Sequence, residues 1–167
     1  MKSRSRKPTH APSGFSLLEL VVVMAIIAIL ATLAMPLFLS KVPREQVEES
    51  MPIIKFVQGE VERYYKGQNP KAMPASNEVA GLQPPDKIVG VFVESVTVLD
   101  GAVNVKFRPD ANGKLAGKII SWRPAVSSGN PDIPWICGYQ KEPPSMQIGG
   151  TNATNVTRDA LPLRCLK

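Results

Sequence analysis

The sequence predicts an α+β fold: one long N-terminal helix packed on an antiparallel sheet of about four strands. Three observations lead there. Residues 20–39 are apolar except for Thr32. Beyond them Val47, Met51, Ile54, Val57, Val61 and Tyr64 recur at spacings of four and three, the stripe of an amphipathic helix. After residue 85 the pattern changes to short β-branched runs separated by turn dipeptides.

Residues 1–14 are polar, basic and proline-containing, and are expected to be a disordered leader. Lys2, Arg4, Arg6 and Lys7 precede the apolar run with no acid among them. The 167-residue chain has a net charge of +6, and setting those four cations aside leaves +2. The basic character therefore belongs mostly to the leader. A basic flank before an apolar span sets membrane topology, with the leader on the cytoplasmic side. That reading takes precedence over nucleic-acid binding for these residues.

At about 1.5 Å per residue, an apolar run of this length covers roughly the 30 Å hydrocarbon core of a bilayer. An ordinary secretory signal is excluded, because its apolar core is shorter and its small-residue cleavage site follows that core. Here the small residue, Gly14, comes first. Ala25, Ala28, Ala31 and Ala34 recur every three residues, and such a stripe lets helices approach closely. Hydropathy alone is equally compatible with a plain signal anchor. Glu19, at the front edge of the run, is the exception that calls for an explanation. A carboxylate in that setting is costly unless something pairs with it.

The helical pattern extends over residues 15–66, interrupted by Pro36, Pro43 and Pro52. Each proline removes a hydrogen bond and crowds the preceding turn, so kinks or unwound backbone are expected there. Carbonyls freed in lipid need neighbouring helices or water. Pro36 is thus either an assembly element or a tolerated kink. Residues 67–85 are rich in Pro, Asn, Gly and Ala and read as a loop. Strands are expected over 89–93 and 96–99, then over 102–107 after the Asp100-Gly101 turn. Asn112-Gly113 marks another turn, followed by strands around 118–123 and 133–138. From residue 139 to 166 the chain reads as loop. The expected organisation is a leader (1–14), a transmembrane helix (15–39), an amphipathic continuation (40–66) and a globular head (67–167).

With a cytoplasmic leader, Cys137 and Cys165 lie in the compartment where disulfides persist. Two distant cysteines without companions do not make a metal site. His10, in the leader, is the only histidine, and no nucleophile–base set, phosphate loop or carboxylate pair is visible. No cofactor and no catalysis are expected. Asn152-Ala153-Thr154 and Asn155-Val156-Thr157 fit the N-glycosylation pattern, which arises easily by chance in such a loop. Trp122, Trp135 and Tyr139 are expected as structural anchors before base-stacking platforms.

Gly14-Phe15, Glu19 four residues later, and a long apolar helix carrying Pro36 together resemble the type IV pilin signature. The motif itself covers residues 14–39; the remainder is similar in layout. The resemblance implies cleavage between Gly14 and Phe15 by a prepilin peptidase and N-methylation of Phe15. It implies pairing of the Glu19 carboxylate with a Phe15 ammonium, its own or a neighbour's. It also implies a Cys137–Cys165 disulfide closing a C-terminal loop over 137–165. A subunit with different contact surfaces on its two sides builds an open helical filament. The implied partners are further copies of the chain, the inner membrane before assembly, and a platform and motor. The filament would lie outside the cell and serve adhesion, twitching motility or DNA uptake. Alternatives are a minor pilin, a type II secretion pseudopilin, a DNA-binding competence pilin, and a membrane-anchored periplasmic enzyme or receptor with an uncleaved anchor.

Overall fold

The computed structural model describes residues 14–68, 71–127, 129 and 131–167. The expected disordered leader therefore lies outside the described residues, apart from Gly14. The chain divides into two compact units, Met1–Leu37 and Phe38–Lys167.

Helix α1 spans Leu17–Glu49 and helix α2 spans Met51–Gly67. Three interruptions are expected from the prolines, but the helical assignment carries through Pro36 and Pro43. The break falls at Ser50, two residues before Pro52. The Pro52 nitrogen has no hydrogen to offer the Glu48 carbonyl. Here the Ser50 amide reaches back only three residues, to the Val47 carbonyl at 3.2 Å. Its hydroxyl donates to the Gln46 carbonyl at 2.9 Å. Helical bonding then resumes from Ile54 to the Ser50 carbonyl.

In the second unit, strands β1 (Val93–Leu99), β2 (Ala102–Phe107), β3 (Ile119–Val126) and β4 (Trp135–Cys137) form an antiparallel meander. A fifth strand, β5 (Gln147–Ile148), pairs with the end of β3. Of the amphipathic stripe, Val47, Ile54, Val57 and Val61 are buried and Met51 packs against them, whereas Tyr64 is only half-buried and lies outside this cluster. The buried residues meet Val96, Val98, Val103, Val105, Ile120 and Trp122 from one face of the sheet. At about 1.5–3 kcal/mol for each fully buried aliphatic side chain, this layer is the main stabilising term of the head.

Two strand expectations need correction. Residues 89–92 are not a strand. The Gly90 amide bonds the Val93 carbonyl at 3.0 Å, bending the chain just before β1. A Cβ on Gly90 would lie 2.4 Å from Ile53 Cδ1, so the bend is pressed against α2. The region after residue 139 is not all loop. It contains β5 and two short 3₁₀ turns, Arg158–Ala160 and Leu163–Cys165. The Asp100-Gly101 turn is a two-residue hairpin with both residues at positive φ, 50° and 86°.

The disulfide loop forms a second cover over the sheet. Ser121, Arg123 and Ala125 alternate with Ile120 and Trp122 along β3, yet they are buried too. Gly150 turns at φ 66°, and a Cβ there would come within 2.6 Å of the Leu99 carbonyl. The loop thus sits directly against the β1–β2 hairpin.

Candidate assembly site

The N-terminal site is built from a helix start and an exposed apolar surface. Ser16 precedes α1, and the Leu20 amide donates to its carbonyl at 3.1 Å, closing the first turn. Glu19 lies in that turn, where the partial positive charge of the unpaired amides favours a carboxylate. Gly14 has nothing within 4 Å of where a Cβ would be, and Phe15 is 80% exposed. Among the described residues no side chain pairs with Glu19. The stretch Leu17–Met35 is long and apolar enough to cross a membrane, and none of it is buried within the chain. Thr32, its one polar side chain beyond Glu19, donates its hydroxyl to the Ile29 carbonyl at 2.7 Å. Pro36 lies within the α1 backbone; its side chain is outside the described set. The geometry thus supplies a carboxylate at the head of a bare apolar helix, with the Gly14–Phe15 bond exposed ahead of it.

The second feature is the C-terminal clasp. Cys137, at the end of β4, and Cys165 are joined by a disulfide, with their Cα atoms 4.6 Å apart. The loop between them holds more apolar weight than its composition suggests, since Val156, Ala160 and Leu161 are fully buried. It is also stitched to the sheet. The Ser121 hydroxyl donates to Asn104 Oδ1 at 2.6 Å and accepts from the Ala153 amide at 2.8 Å. Its backbone amide donates to Thr154 Oγ1 at 3.0 Å. Arg123, buried under the loop, pairs with Glu142. Sequence reasoning missed this network, because its members lie more than fifteen residues apart and carry no local motif.

Both glycosylation triplets have structural roles. Asn152 Nδ2 donates to the Gly138 carbonyl at 2.7 Å, and Asn155 Oδ1 accepts from the Ile119 amide at 2.7 Å. The aromatic residues are engaged as well. Trp122 is buried, Trp135 Nε1 donates to Glu62 at 2.8 Å, and the Arg158 guanidinium lies 4.8 Å from the Tyr139 ring centre. Lys114 pairs with Asp159 across the loop and, with a hydrogen bond from Thr157, pulls that carboxyl down to about 2. Arg108 likewise lowers Asp110.

The chain thus combines a bare apolar helix near its N-terminus with a head whose disulfide loop is stitched to its sheet. Comparison with known proteins gives the family. The prokaryotic N-terminal methylation motif matches residues 10–35, and the pilin (bacterial filament) family matches residues 44–166. The chain belongs to the pilin family. It is 33% identical over 147 residues to a type IV major pilin protein of Neisseria gonorrhoeae, covering 87% of this chain and 64% of that relative's length. A second type IV major pilin protein of the same species is 31% identical over 158 residues, covering 91% of this chain and 86% of the relative. A fimbrial protein of Neisseria meningitidis serogroup B is 33% identical over 127 residues, with 75% and 72% covered.

Proposed function

We propose that this chain is a structural subunit of a type IV pilus. In this reading residues 1–14 are a cytoplasmic leader, removed between Gly14 and Phe15 by a prepilin peptidase that also methylates the Phe15 amine. Residues 15–39 hold the subunit in the inner membrane and then enter the filament core. Residues 40–66 carry the helix into the head (67–167), which is periplasmic before assembly and extracellular after it. An assembly platform and motor move the subunit between the two states.

One observation carries the proposal: Glu19 stands in the first turn of an unburied apolar helix, four residues after the Gly14–Phe15 bond. Burying that carboxylate in hydrocarbon costs about 2.5–3.5 kcal/mol at the bilayer centre and less near its edge. Cleavage creates a partner, the Phe15 ammonium, that the uncut chain lacks. Pairing in a dry helical core has strong positional preference, because charges there are little screened. Such a pair registers one subunit on the next. The apolar helix leaves lipid for a protein core without crossing water, so assembly need not expose it.

The test is the mass of the N-terminal peptide in sheared surface filaments. A peptide beginning with methylated Phe15 is expected. A peptide beginning at Met1 overturns the proposal in favour of an uncleaved anchor. In the same cells Glu19→Val is expected to leave membrane insertion intact and to abolish or sharply reduce filaments, seen by electron microscopy.

A further inference from the structure

Met73 stands where three segments distant in sequence meet. Its side chain packs against the edge of the head core. A Cβ on Gly101, in the β1–β2 turn, would lie 2.9 Å from Met73 Cγ and 3.0 Å from both its Cβ and its sulfur. A Cβ on Gly149, just after β5, would lie 3.3 Å from the same Cγ and 3.2 Å from the Asp100 carbonyl oxygen. The thioether therefore fills a notch that two glycines leave open, between the hairpin and the disulfide loop. Backbone bonds fix both sides of the notch. The Gly101 amide donates to the Pro74 carbonyl, and the Gly149 amide to the Pro124 carbonyl, each at 2.9 Å. Met51 and Met146 are half-buried like Met73, but no described glycine has either as the nearest contact of an added Cβ.

The notch is open on one side. Met73 lines a cavity of about 150 Å³ with Tyr65, Lys71, Val126, Gln147 and Ile148. A water takes about 30 Å³ of liquid volume, so a reagent the size of hydrogen peroxide fits. Lys71 and Gln147 bring N–H donors to this wall, of the kind a sulfoxide oxygen accepts from.

We propose that Met73 is an oxidation site, and that its sulfoxide unlatches the disulfide loop from the β1–β2 hairpin. The oxidant is a peroxide. A sulfur lone pair attacks one peroxide oxygen and the O–O bond breaks. That oxygen stays on sulfur, and the other leaves as water after proton transfer. Sulfur gives up two electrons and the peroxide takes them. A flexible apolar side chain becomes a polar one, larger by an oxygen. Toward Gly101 the notch has no room for that oxygen, since even a Cβ there would be 3.0 Å from the sulfur. Toward the cavity the oxygen meets donors. The oxidised side chain thus swings out of the notch, and the contacts at Gly101 and Gly149 are lost. The step concerns the head alone and does not depend on the pilus-subunit reading.

The full-length chain in detergent micelles, treated with dilute hydrogen peroxide, tests it. Peptide mass spectrometry is expected to find a sulfoxide at Met73. The melting temperature of the head, followed by circular dichroism of its aromatic residues, is expected to fall by at least about 3 °C. Hydrogen exchange is expected to quicken at the Gly101 and Gly149 amides. Met73→Leu is expected to make the melting temperature indifferent to peroxide. Met73→Gln, which puts a polar group in the notch, is expected to melt below the untreated parent with no peroxide added. A Met73 that stays unoxidised while Met51 or Met146 reacts overturns the site. An oxidised Met73 with unchanged melting and unchanged exchange overturns the latch. So does a Met73→Leu chain that loses as much stability in peroxide as the parent.

Discussion

The hydroxyl of Ser121 joins three parts of the head: its own strand, Asn104 on β2 and the backbone of Ala153 in the disulfide loop. It is fully buried, so no water replaces it when removed. Ser121→Ala leaves an amide hydrogen and an amide oxygen unmatched, at about 1–3 kcal/mol for each buried group left unpaired. The expected result is a clear fall in the urea midpoint with little change in slope. Asn77 plays a comparable part at the edge of β1. Its side chain accepts from the Val98 amide at 2.7 Å and donates to the Val96 carbonyl at 3.0 Å, standing in for a neighbouring strand. Asp159 supplies the acid-side prediction. Its carboxyl is held at about 2 by Lys114 and Thr157, below the ordinary value of 3.8. A lowered carboxylate contributes stability that is present above the ordinary value and lost as pH falls through the folded one. Melting temperature should therefore decline more steeply between pH 4 and pH 2 in the parent chain than in Asp159→Asn. The group is fully exposed, so the difference should be small and should shrink with added salt.

At the level of elements, the disulfide and the hydrogen bonds to Ser121 hold the same loop by different means. The bond closes a separation of 28 residues and limits the unfolded chain, worth about 3–4 kcal/mol in the chain-entropy view. Replacing both cysteines with serine should lower stability by about that amount and reduce surface filament yield. Unchanged thermal stability in that variant would show that the stitched contacts suffice. Legibility in the sequence followed the range of the interactions. The β1–β2 hairpin was readable because Asp100 and Gly101 form a local turn whose geometry few residues tolerate. The α2 stripe was readable because a helix repeats its own period. The bend at 89–92 was not, since Val89 and Val91 favour a strand, whereas the Gly90 amide folds back onto the Val93 carbonyl and Gly90 lies close to Ile53. Strand β5 is two residues long and exists only because Ala125 and Val126 offer it a partner. The candidate assembly site, by contrast, is contiguous in sequence, so a local motif sufficed to propose it.

For the molecule as a whole, the described surface is of two kinds. The head has one connected apolar core, to which the helix stripe, the sheet and the loop residues Val156, Ala160 and Leu161 all contribute. The segment Leu17–Met35 buries none. A chain so divided is incomplete alone and needs either lipid or its own copies to cover the exposed part. Thr32 shows how little that change of surroundings demands. Its hydroxyl is already bound to the Ile29 carbonyl, so the helix carries its own solvation with it. Leaving the bilayer then breaks no hydrogen bond at Thr32, and entering a protein core requires none to form there. The exchange is one greasy neighbour for another, governed by the fit of shapes and the displacement of acyl chains. Thr32→Ala should accordingly leave membrane insertion and filament yield unchanged in quantitative blots. Thr32→Asp brings a group the helix cannot satisfy by itself, and should strand the subunit in whichever environment first hydrates it.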